Sequence, residues 1–359
     1  VFMNNQQGAT RIQGIIVPLL SVILGLVIGA IVMWSFGYDA IAGYSAMLKG
    51  AFGSPFYIGE LLREATPLIL VALGFAVANT AGFFNIGVAG QTLFGWLASV
   101  SVAQILPDLP KMILLPLCIL AGVAAGAIWA GIAGVLRAYF NTSEVIVTIM
   151  LNHTALYINN HIVRNVLTDS GDSTARITEN ASLRVPFLSE LTRNSTLHAG
   201  IFIALIMIAV VWVLMKKTTY GFEFRSVGLN PDAADYAGMN AKKNIILAML
   251  ISGGLAGLGG AMEGLGNFQN MFVQGAMPAV GFDGMAVALL GIGSPIGILF
   301  AALLFSTLKI GGTSMPLMSG VPVEIVDIVI ASIIFFVGAS YIIRLLVNKL
   351  PKVNKKEVA

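Results

Sequence analysis

Residues 245–262 read IILAMLISGGLAGLGGAM, a stretch of consecutive positions without an ionisable side chain. A helix needs about 20 predominantly apolar residues to cross the ~30 Å hydrocarbon layer of a bilayer, so this run approaches membrane-crossing length. Within it, Gly253 and Gly257 have the spacing that lets a neighbouring helix approach closely in lipid. Two further glycine pairs share this spacing: Gly25/Gly29 and Gly122/Gly126. These patterns predict helices that pack against one another in a membrane.

The composition of the whole chain supports this prediction. Of its 359 residues, 57% are hydrophobic and 10% are charged, whereas a soluble globular domain carries about 25% charged residues. Too few polar side chains remain to cover a water-soluble surface. Further apolar runs are spread along the chain: 14–34, 112–136, 201–215, 285–308 and 328–343. We therefore predict an all-α integral membrane protein.

The apolar runs divide the chain into about ten predicted transmembrane helices. They are 14–36, 59–80, 84–105, 112–137, 144–164, 198–217, 244–264, 272–292, 295–310 and 325–345. Glycines and polar residues interrupt the third and the eighth, in the segments 82–91 and 263–284. Broken helices at membrane depth are tolerated where protein or a water-filled cavity surrounds them, and transporters often build solute sites there. We interpret residues 1–359 as one transmembrane domain.

The distribution of basic residues predicts the orientation, because cytoplasmic loops carry an excess of Lys and Arg. Basic residues cluster around one central polar segment and at the end of the chain: Lys216, Lys217, Arg225, Lys242, Lys243, Arg344, Lys349, Lys352, Lys355 and Lys356. The long polar loop at about 165–197 balances its basic residues with acidic ones, so we place it outside. With Arg11 inside and an even number of crossings, both termini are predicted to be cytoplasmic.

The central cytoplasmic segment, about 226–241, has the signals of a short helix. Asn230 is a suitable N-cap and Pro231 suits the first helical position. Two aspartates fall in the first turn, where the helix dipole favours negative charge: Asp232 and Asp235. Gly238 would end the helix. From this chemistry, an ordinary loop helix and a helix that contacts a partner are equally good interpretations.

Three motifs together resemble a known family. Residues 227–238 (VGLNPDAADYAG) resemble the coupling-helix loop of bacterial ABC importer permeases of the simple-sugar and nucleoside branch. Residues 84–91 (FNIGVAGQ) and 281–291 (GFDGMAVALLG) agree in order and spacing, and the resemblance covers roughly 14–345. The strongest likeness is to permeases of nucleoside importers. One departure is Ala89, where many members of the family carry an acidic residue.

The resemblance implies partners that the residues themselves do not show. A second permease, often a different chain, would enclose the pathway, and a lipid-anchored or periplasmic binding protein would deliver the solute. A separate ATPase would bind ATP and Mg²⁺ and dock on the coupling helix from the cytoplasm. The permease itself would lie in the bacterial cytoplasmic membrane. The candidate coupling residues are Asn230, Pro231, Asp232, Asp235, Tyr236 and Gly238. The chain has no phosphate-binding Gly-x4-Gly-Lys-Ser/Thr loop, so we expect it to be a transport subunit without cofactors or enzymatic activity.

Polar residues in the spans are candidates for the solute pathway, because each is costly in lipid. In the fifth span four polar residues share one helix face and either line the pathway or form hydrogen bonds with neighbouring helices: Glu144, Thr148, Asn152 and Asn159. Aromatic and amide side chains near the interrupted spans suit the flat base and the hydroxyl groups of a nucleoside. These candidates are Phe84, Asn85, Gln91, Glu263, Asn267, Phe268 and Gln269. A gate or a packing role fits the same residues.

Other classes of function have weaker support. A secondary carrier would be expected to show a paired acidic or ion-binding cluster, whereas the carboxylates Glu263 and Asp283 are isolated in the sequence. No catalytic arrangement for an intramembrane enzyme is present in the spans. His161 and His198 flank the polar loop, where we expect solvated side chains. The single cysteine and the scattered histidines predict no metal site, and a simple sugar remains an alternative solute.

Overall fold

The structure is a computed structural model that describes residues 2–339, with side chains from Ile16 onward. Most of the described residues are helical, and they form two compact units, one from residues 2–50 and 311–339 and one from residues 51–310. The predicted cytoplasmic basic residues from Arg344 onward lie outside the described part, as does the end of the predicted span 325–345.

The larger unit begins at the last two residues of helix α2 (Ala40–Phe52), and a short non-helical segment leads from them to the next helix. Helix α3 (Pro55–Thr80) starts at Ser54, whose hydroxyl accepts from Tyr57 N at 3.4 Å, with a proline at the first helical position. Such caps satisfy the orphan N–H groups of the first turn. The remaining helices are α4 (Val88–Ile105), α5 (Lys111–Phe140), α6 (Glu144–Ile162), α7 (Pro186–Leu191), α8 (Gly200–Lys217), α9 (Thr219–Leu229), α10 (Pro231–Tyr236), α11 (Ala241–Met262), α12 (Ala279–Leu290) and α13 (Pro295–Gly312). Single π-helical turns extend α6 and α11, at Val163–Leu167 and Glu263–Asn267.

The smaller unit contains α1 (Phe2–Ser35), α14 (Met315–Ser319), α15 (Glu324–Gly338) and most of α2 (Ala40–Phe52). Helix α1 packs against α15. At this contact Gly25 approaches Ile333 and Gly29 approaches Val329 so closely that an added Cβ would clash. This predicted glycine pair therefore packs one helix against another.

Seven helices in the described part are long and apolar enough to cross a bilayer. They are Ile16–Ser35, Pro55–Thr80, Val88–Ile105, Lys111–Phe140, Gly200–Lys217, Ala241–Asn267 and Pro295–Gly312. This confirms a multi-pass membrane protein. The other predicted spans correspond to α6, to α12 and to the described part of α15, which are not among the seven, so the count of ten stays a prediction.

The two segments predicted to be interrupted are non-helical just before a helix. Helix α4 begins at Val88, after a turn in which Gly82 has a φ of +79°. Helix α12 begins at Ala279, and residues 268–278 before it are irregular. The depth of these segments in the membrane stays a prediction.

Helix α11 is the central helix of the larger unit and packs against α3, α4 and α5. Its two predicted glycines meet those of α5. A Cβ added at Gly253 would clash with the carbonyl oxygen of Gly126, and one added at Gly257 would clash with that of Gly122. The two glycine pairs therefore let these helix backbones touch, which explains the close packing without a hydrophobic driving force.

This contact predicts that Gly253→Ala destabilises the protein although alanine favours a helix over glycine. The added methyl group meets the α5 backbone, and overpacking of this kind typically costs about 1–3 kcal/mol. We expect a lower thermal unfolding midpoint in detergent. The matched control is Gly254→Ala, where the nearest atom to an added Cβ is Val123 Cγ1 at 3.4 Å. Equal midpoints for the two variants would contradict the prediction.

Candidate functional site

A cavity of about 370 Å³ lies in the larger unit, near the end of α11. Helices α3, α4, α12 and α13 contribute to its wall together with the irregular segment 268–278. The lining residues are Arg63, Glu64, Trp96, Glu263, Phe268, Phe272, Gln274, Pro278, Ala279, Val280 and Lys309. The cavity thus combines aromatic rings with charged groups.

Three aromatic rings form one side of the cavity. Trp96 stacks on Phe268 with ring centroids 4.9 Å apart and an interplanar angle of 17°. Phe272 meets both rings edge-on, at 5.3 Å from Trp96 and 5.4 Å from Phe268. The indole Nε1 donates to Asn270 O at 2.8 Å, which fixes the Trp96 ring, while Phe268 remains 47% exposed. This wall offers a flat apolar surface to a planar solute.

Charged side chains on α3, α12 and α13 form a paired network beside this wall. Lys309 Nζ lies 3.0 Å from Glu64 Oε1 and 2.8 Å from Asp283 Oδ2. Arg63 Nε lies 2.7 Å from Glu60 Oε2. Because charged groups in a membrane helix are costly unless paired, this network neutralises charges that the apolar spans carry.

Glu263 is the cavity carboxylate at the end of α11, and a chain of hydrogen bonds holds it. Asn267 Nδ2 donates to Glu263 Oε2 at 2.9 Å, and Asn267 Oδ1 lies 3.1 Å from His198 Nε2. His198 Nδ1 accepts from Gly200 N at 3.1 Å. His198 is fully buried, so the expectation of a solvated side chain was wrong for it; the neighbouring helix end encloses the ring. His161 is exposed as expected.

The polar loop 165–197 holds the irregular segment beside the cavity. Backbone bonds join Thr174 N to Met271 O and Val273 N to Asp172 O, both at 2.8 Å. Arg184 donates to the carbonyl oxygens of Gly266 and Asn267, at 3.0 and 2.7 Å. The loop therefore satisfies backbone groups that the π-helical end of α11 leaves free.

Comparison with known proteins decides the family. Residues 57–338 match the model of the permease component of branched-chain amino acid transport systems. The chain belongs to this permease family. The resemblance to importer permeases that the sequence motifs indicated is confirmed.

Relatives of this permease match over nearly the whole chain. The guanosine ABC transporter permease protein NupP of Bacillus subtilis is 52% identical, over 95% of this chain and 98% of the relative. The nucleoside ABC transporter permease protein NupB of Lactococcus lactis is 46% identical, over 99% and 98%. The glucose ABC transporter permease protein TsgB13 of Haloferax volcanii is 35% identical, over 90% and 87%. No solved structure matches the chain.

Two of the predicted pathway residues bond to each other in this permease. Asn85 and Gln91 exchange a pair of side-chain hydrogen bonds, at 2.9 and 3.0 Å, and Asn85 also donates to Ser252 Oγ at 2.9 Å. Both side chains are buried and neither lines the cavity described above. In the structure they tie the segment before α4 to α11.

The polar face of α6 is also buried. Asn152 Oδ1 accepts from Gly90 N at 2.8 Å, in the first turn of α4, and its Nδ2 donates to Ile86 O at 3.0 Å. This side chain therefore caps a neighbouring helix and lies in a second cavity of about 650 Å³ on the α6 face. Asn159 is buried and donates to Asn160 Oδ1 at 3.2 Å.

The other predicted pathway residues divide between cavity and support. Glu263 and Phe268 line the cavity, and Asn267 donates a hydrogen bond to Glu263. Gln269 has a φ of +62° and donates to Ser182 Oγ at 2.6 Å. Phe84 packs edge-on against Phe75 with ring centroids 5.1 Å apart. The assignment of these residues to a solute pathway stays a prediction.

The predicted helix in the central polar segment is present as α10. Asn230 caps it, with Oδ1 accepting from Ala233 N at 3.0 Å, and Pro231 occupies its first turn. The helix ends at Tyr236, before Gly238 at a φ of +85°. Asp235 Oδ1 accepts from Ala241 N at 2.8 Å and so joins α10 to the start of α11. The local helix is confirmed, and its contact with an ATPase stays a prediction.

Sequence reasoning named two of the eleven residues that line the cavity, Glu263 and Phe268. Arg63, Glu64 and Lys309 lie inside apolar helices, where an ionisable residue is by default a functional candidate, so this signal was available. Trp96 and Phe272 carried no comparable signal, because aromatic residues are frequent in apolar spans and only the fold brings these two rings together.

We predict that Lys309→Met destabilises this permease, because Glu64 and Asp283 would lose the cation that they share. Removing one partner of a fully buried ion pair costs about 3–5 kcal/mol, and these side chains, which are 13–26% exposed, should lose less than that. Thermal unfolding in detergent should show a fall in the midpoint. Lys243→Met, at an exposed position, is the control.

Adding Glu64→Gln and Asp283→Asn to Lys309→Met should recover much of the loss, because no uncompensated charge remains. A triple variant less stable than the single variant would contradict the assignment of the loss to unpaired charge.

Proposed function

We propose that this chain is a permease subunit of an ATP-driven importer that carries nucleosides across the bacterial cytoplasmic membrane. The observation that carries the proposal is the similarity, at 52% and 46% identity over nearly full length, to permease proteins named for guanosine and nucleoside transport. Similarity of this extent covers the cavity, both polar loops and α10.

The chemistry of the cavity supports a nucleoside as the solute. A stacked pair of rings, Trp96 and Phe268, gives a base an apolar face. Glu263, Gln274 and the ion-pair network lie around the same space and offer hydrogen bonds to a base edge and to ribose hydroxyls. Binding sites for small molecules commonly combine an apolar wall with a few placed polar groups.

The proposed assembly follows the family resemblance. A second permease completes the pathway, a substrate-binding lipoprotein supplies the nucleoside, and a separate ATPase binds ATP and Mg²⁺. The chain crosses the membrane about ten times with both termini in the cytoplasm, so that α10 faces the ATPase and the loop 165–197 faces the binding protein.

The exposed face of α10 suits a docking contact. Tyr236 is 95% exposed and Leu229, just before the helix, is 88% exposed. On the opposite side Ala234 packs with Val227 and Ala241, which anchors α10 to α9 and α11. A push on α10 would therefore reach α11, the helix that ends at the cavity.

Glucose or another simple sugar is the second candidate solute, because a glucose permease protein is 35% identical to this chain. The hydroxyl groups of a sugar could also form hydrogen bonds with the polar side of the cavity, but a sugar has no planar base to stack on the aromatic rings. An ATP-independent carrier is a third candidate, which copurification of an ATPase with the chain would exclude.

Uptake of radiolabelled solutes tests the proposal directly. Cells that lack the chain and cells that regain it are compared for uptake of guanosine, uridine and glucose. We expect restored nucleoside uptake that depends on ATP and is not competed by glucose. Restored glucose uptake without nucleoside uptake would contradict the proposal.

Replacing the exposed ring of α10 tests the coupling contact. Tyr236→Ala should leave the amount of folded chain unchanged and lower both ATPase copurification and uptake by about tenfold or more, as expected for an aromatic anchor at an interface. Phe36→Ala removes a ring that is 71% exposed just after α1 and serves as the matched control. Equal effects of the two substitutions would contradict a docking role for α10.

A further inference from the structure

Glu263 differs from the other charged groups of the cavity in its partners. Lys309, Glu64 and Arg63 are each in an ion pair. Among the residues whose side chains the structure describes, the Glu263 carboxylate makes no ion pair and receives one hydrogen bond, from Asn267 to Oε2. The side chain is 7% exposed and lines the cavity. Its second oxygen, Oε1, therefore has acceptor capacity that no described residue uses.

The hydrogen-bond chain behind Glu263 has a fixed direction. A backbone N–H can only donate, so the bond from Gly200 N makes His198 Nδ1 an acceptor and leaves the ring proton on Nε2. Nε2 then donates to Asn267 Oδ1, which turns the amide so that Nδ2 donates to Glu263. These hydrogen bonds hold the Glu263 carboxylate in place and present it to the cavity as an acceptor.

Part of the aromatic wall shares one short segment of the chain with the Glu263 carboxylate. Phe268 lies five positions after Glu263 and its N–H closes the π turn by donating to Glu263 O at 2.9 Å. The same short segment therefore carries both the stacking surface and the carboxylate. A base stacked on these rings would therefore lie in the same cavity as the Glu263 carboxylate.

We propose that Glu263 determines base specificity by accepting hydrogen bonds from a base edge that carries adjacent N–H donors. This inference rests on the proposed nucleoside transport. Guanine offers N1–H and a 2-amino N–H side by side, which suits the two oxygens of a carboxylate, and hypoxanthine offers N1–H. Adenine presents the N1 lone pair there, and uracil flanks its N3–H with two carbonyl oxygens, so both would place lone pairs against the carboxylate.

The first test compares uptake by the assembled importer in cells that carry the wild-type chain or Glu263→Gln. Glutamine can still accept from Asn267, but it replaces the charged acceptor with an NH₂ group. We expect the ratio of guanosine to adenosine uptake efficiency to fall by about 10- to 100-fold, the loss typical of a hydrogen bond to a charged group. Asp108→Asn, which changes an exposed carboxylate between α4 and α5, should leave the ratio unchanged.

The second test uses the wild-type chain and so does not depend on the folding of a variant. Unlabelled analogues compete with labelled guanosine for uptake. 1-Methylguanosine, which lacks N1–H, should compete at least tenfold more weakly than guanosine, and inosine should lie between them. 2′-Deoxyguanosine keeps the base intact and should compete better than 1-methylguanosine.

The outcomes separate this inference from the proposed function. Wild-type cells that take up no nucleoside would overturn the proposed function. Nucleoside uptake with equal competition by guanosine and 1-methylguanosine would overturn the role of Glu263 and leave the transport function intact. An equal loss for guanosine and adenosine in Glu263→Gln would likewise overturn base selection by this residue.

Discussion

Every polar group inside a lipid bilayer must find its partner within the protein, because the hydrocarbon offers none. In the larger unit of this permease, tertiary hydrogen bonds and ion pairs meet that constraint for several charged and amide side chains. Lys309 on α13 is shared between Glu64 on α3 and Asp283 on α12, and Asn152 on α6 caps the first turn of α4. These bonds fix the helices around α11, while glycines let α5 approach it. The pairing of polar side chains and the close contact of helix backbones together define one arrangement of the helices.

The cavity follows from the way α11 ends. A π-helical turn at Glu263–Asn267 ends the helix, and the irregular segment after it returns along the polar loop 165–197. Phe268 thereby reaches Trp96 of α4, and Glu263 comes to the same space as the ion pairs. Asp235 joins α10 to the start of α11 by a hydrogen bond. Helix α11 therefore connects the proposed ATPase contact with the proposed solute site.

The sequence predicted the features that depend on local patterns. Apolar length predicted the membrane helices, glycine spacing predicted close helix packing without showing which helices meet, and the Asn230–Pro231 pair predicted the start of α10. It could not predict that Asn85 and Gln91 would bond each other, or that Lys309 would meet a carboxylate 245 positions earlier in the chain. Side-chain pairing depends on which helix faces turn towards each other. The sequence alone does not distinguish amide groups that join two helices from amide groups that bind a solute.

Cysteine labelling tests most directly whether the cavity at the end of α11 is the solute pathway. Cys118, the one cysteine of the chain, is replaced by alanine, and Ala279→Cys places a thiol at the cavity wall. Asp108→Cys, at an exposed position between α4 and α5, is the control. In intact cells, guanosine should slow the reaction of a membrane-impermeant thiol reagent at position 279 but not at 108. Equal labelling rates at position 279 with and without guanosine, while guanosine uptake continues, would contradict the account.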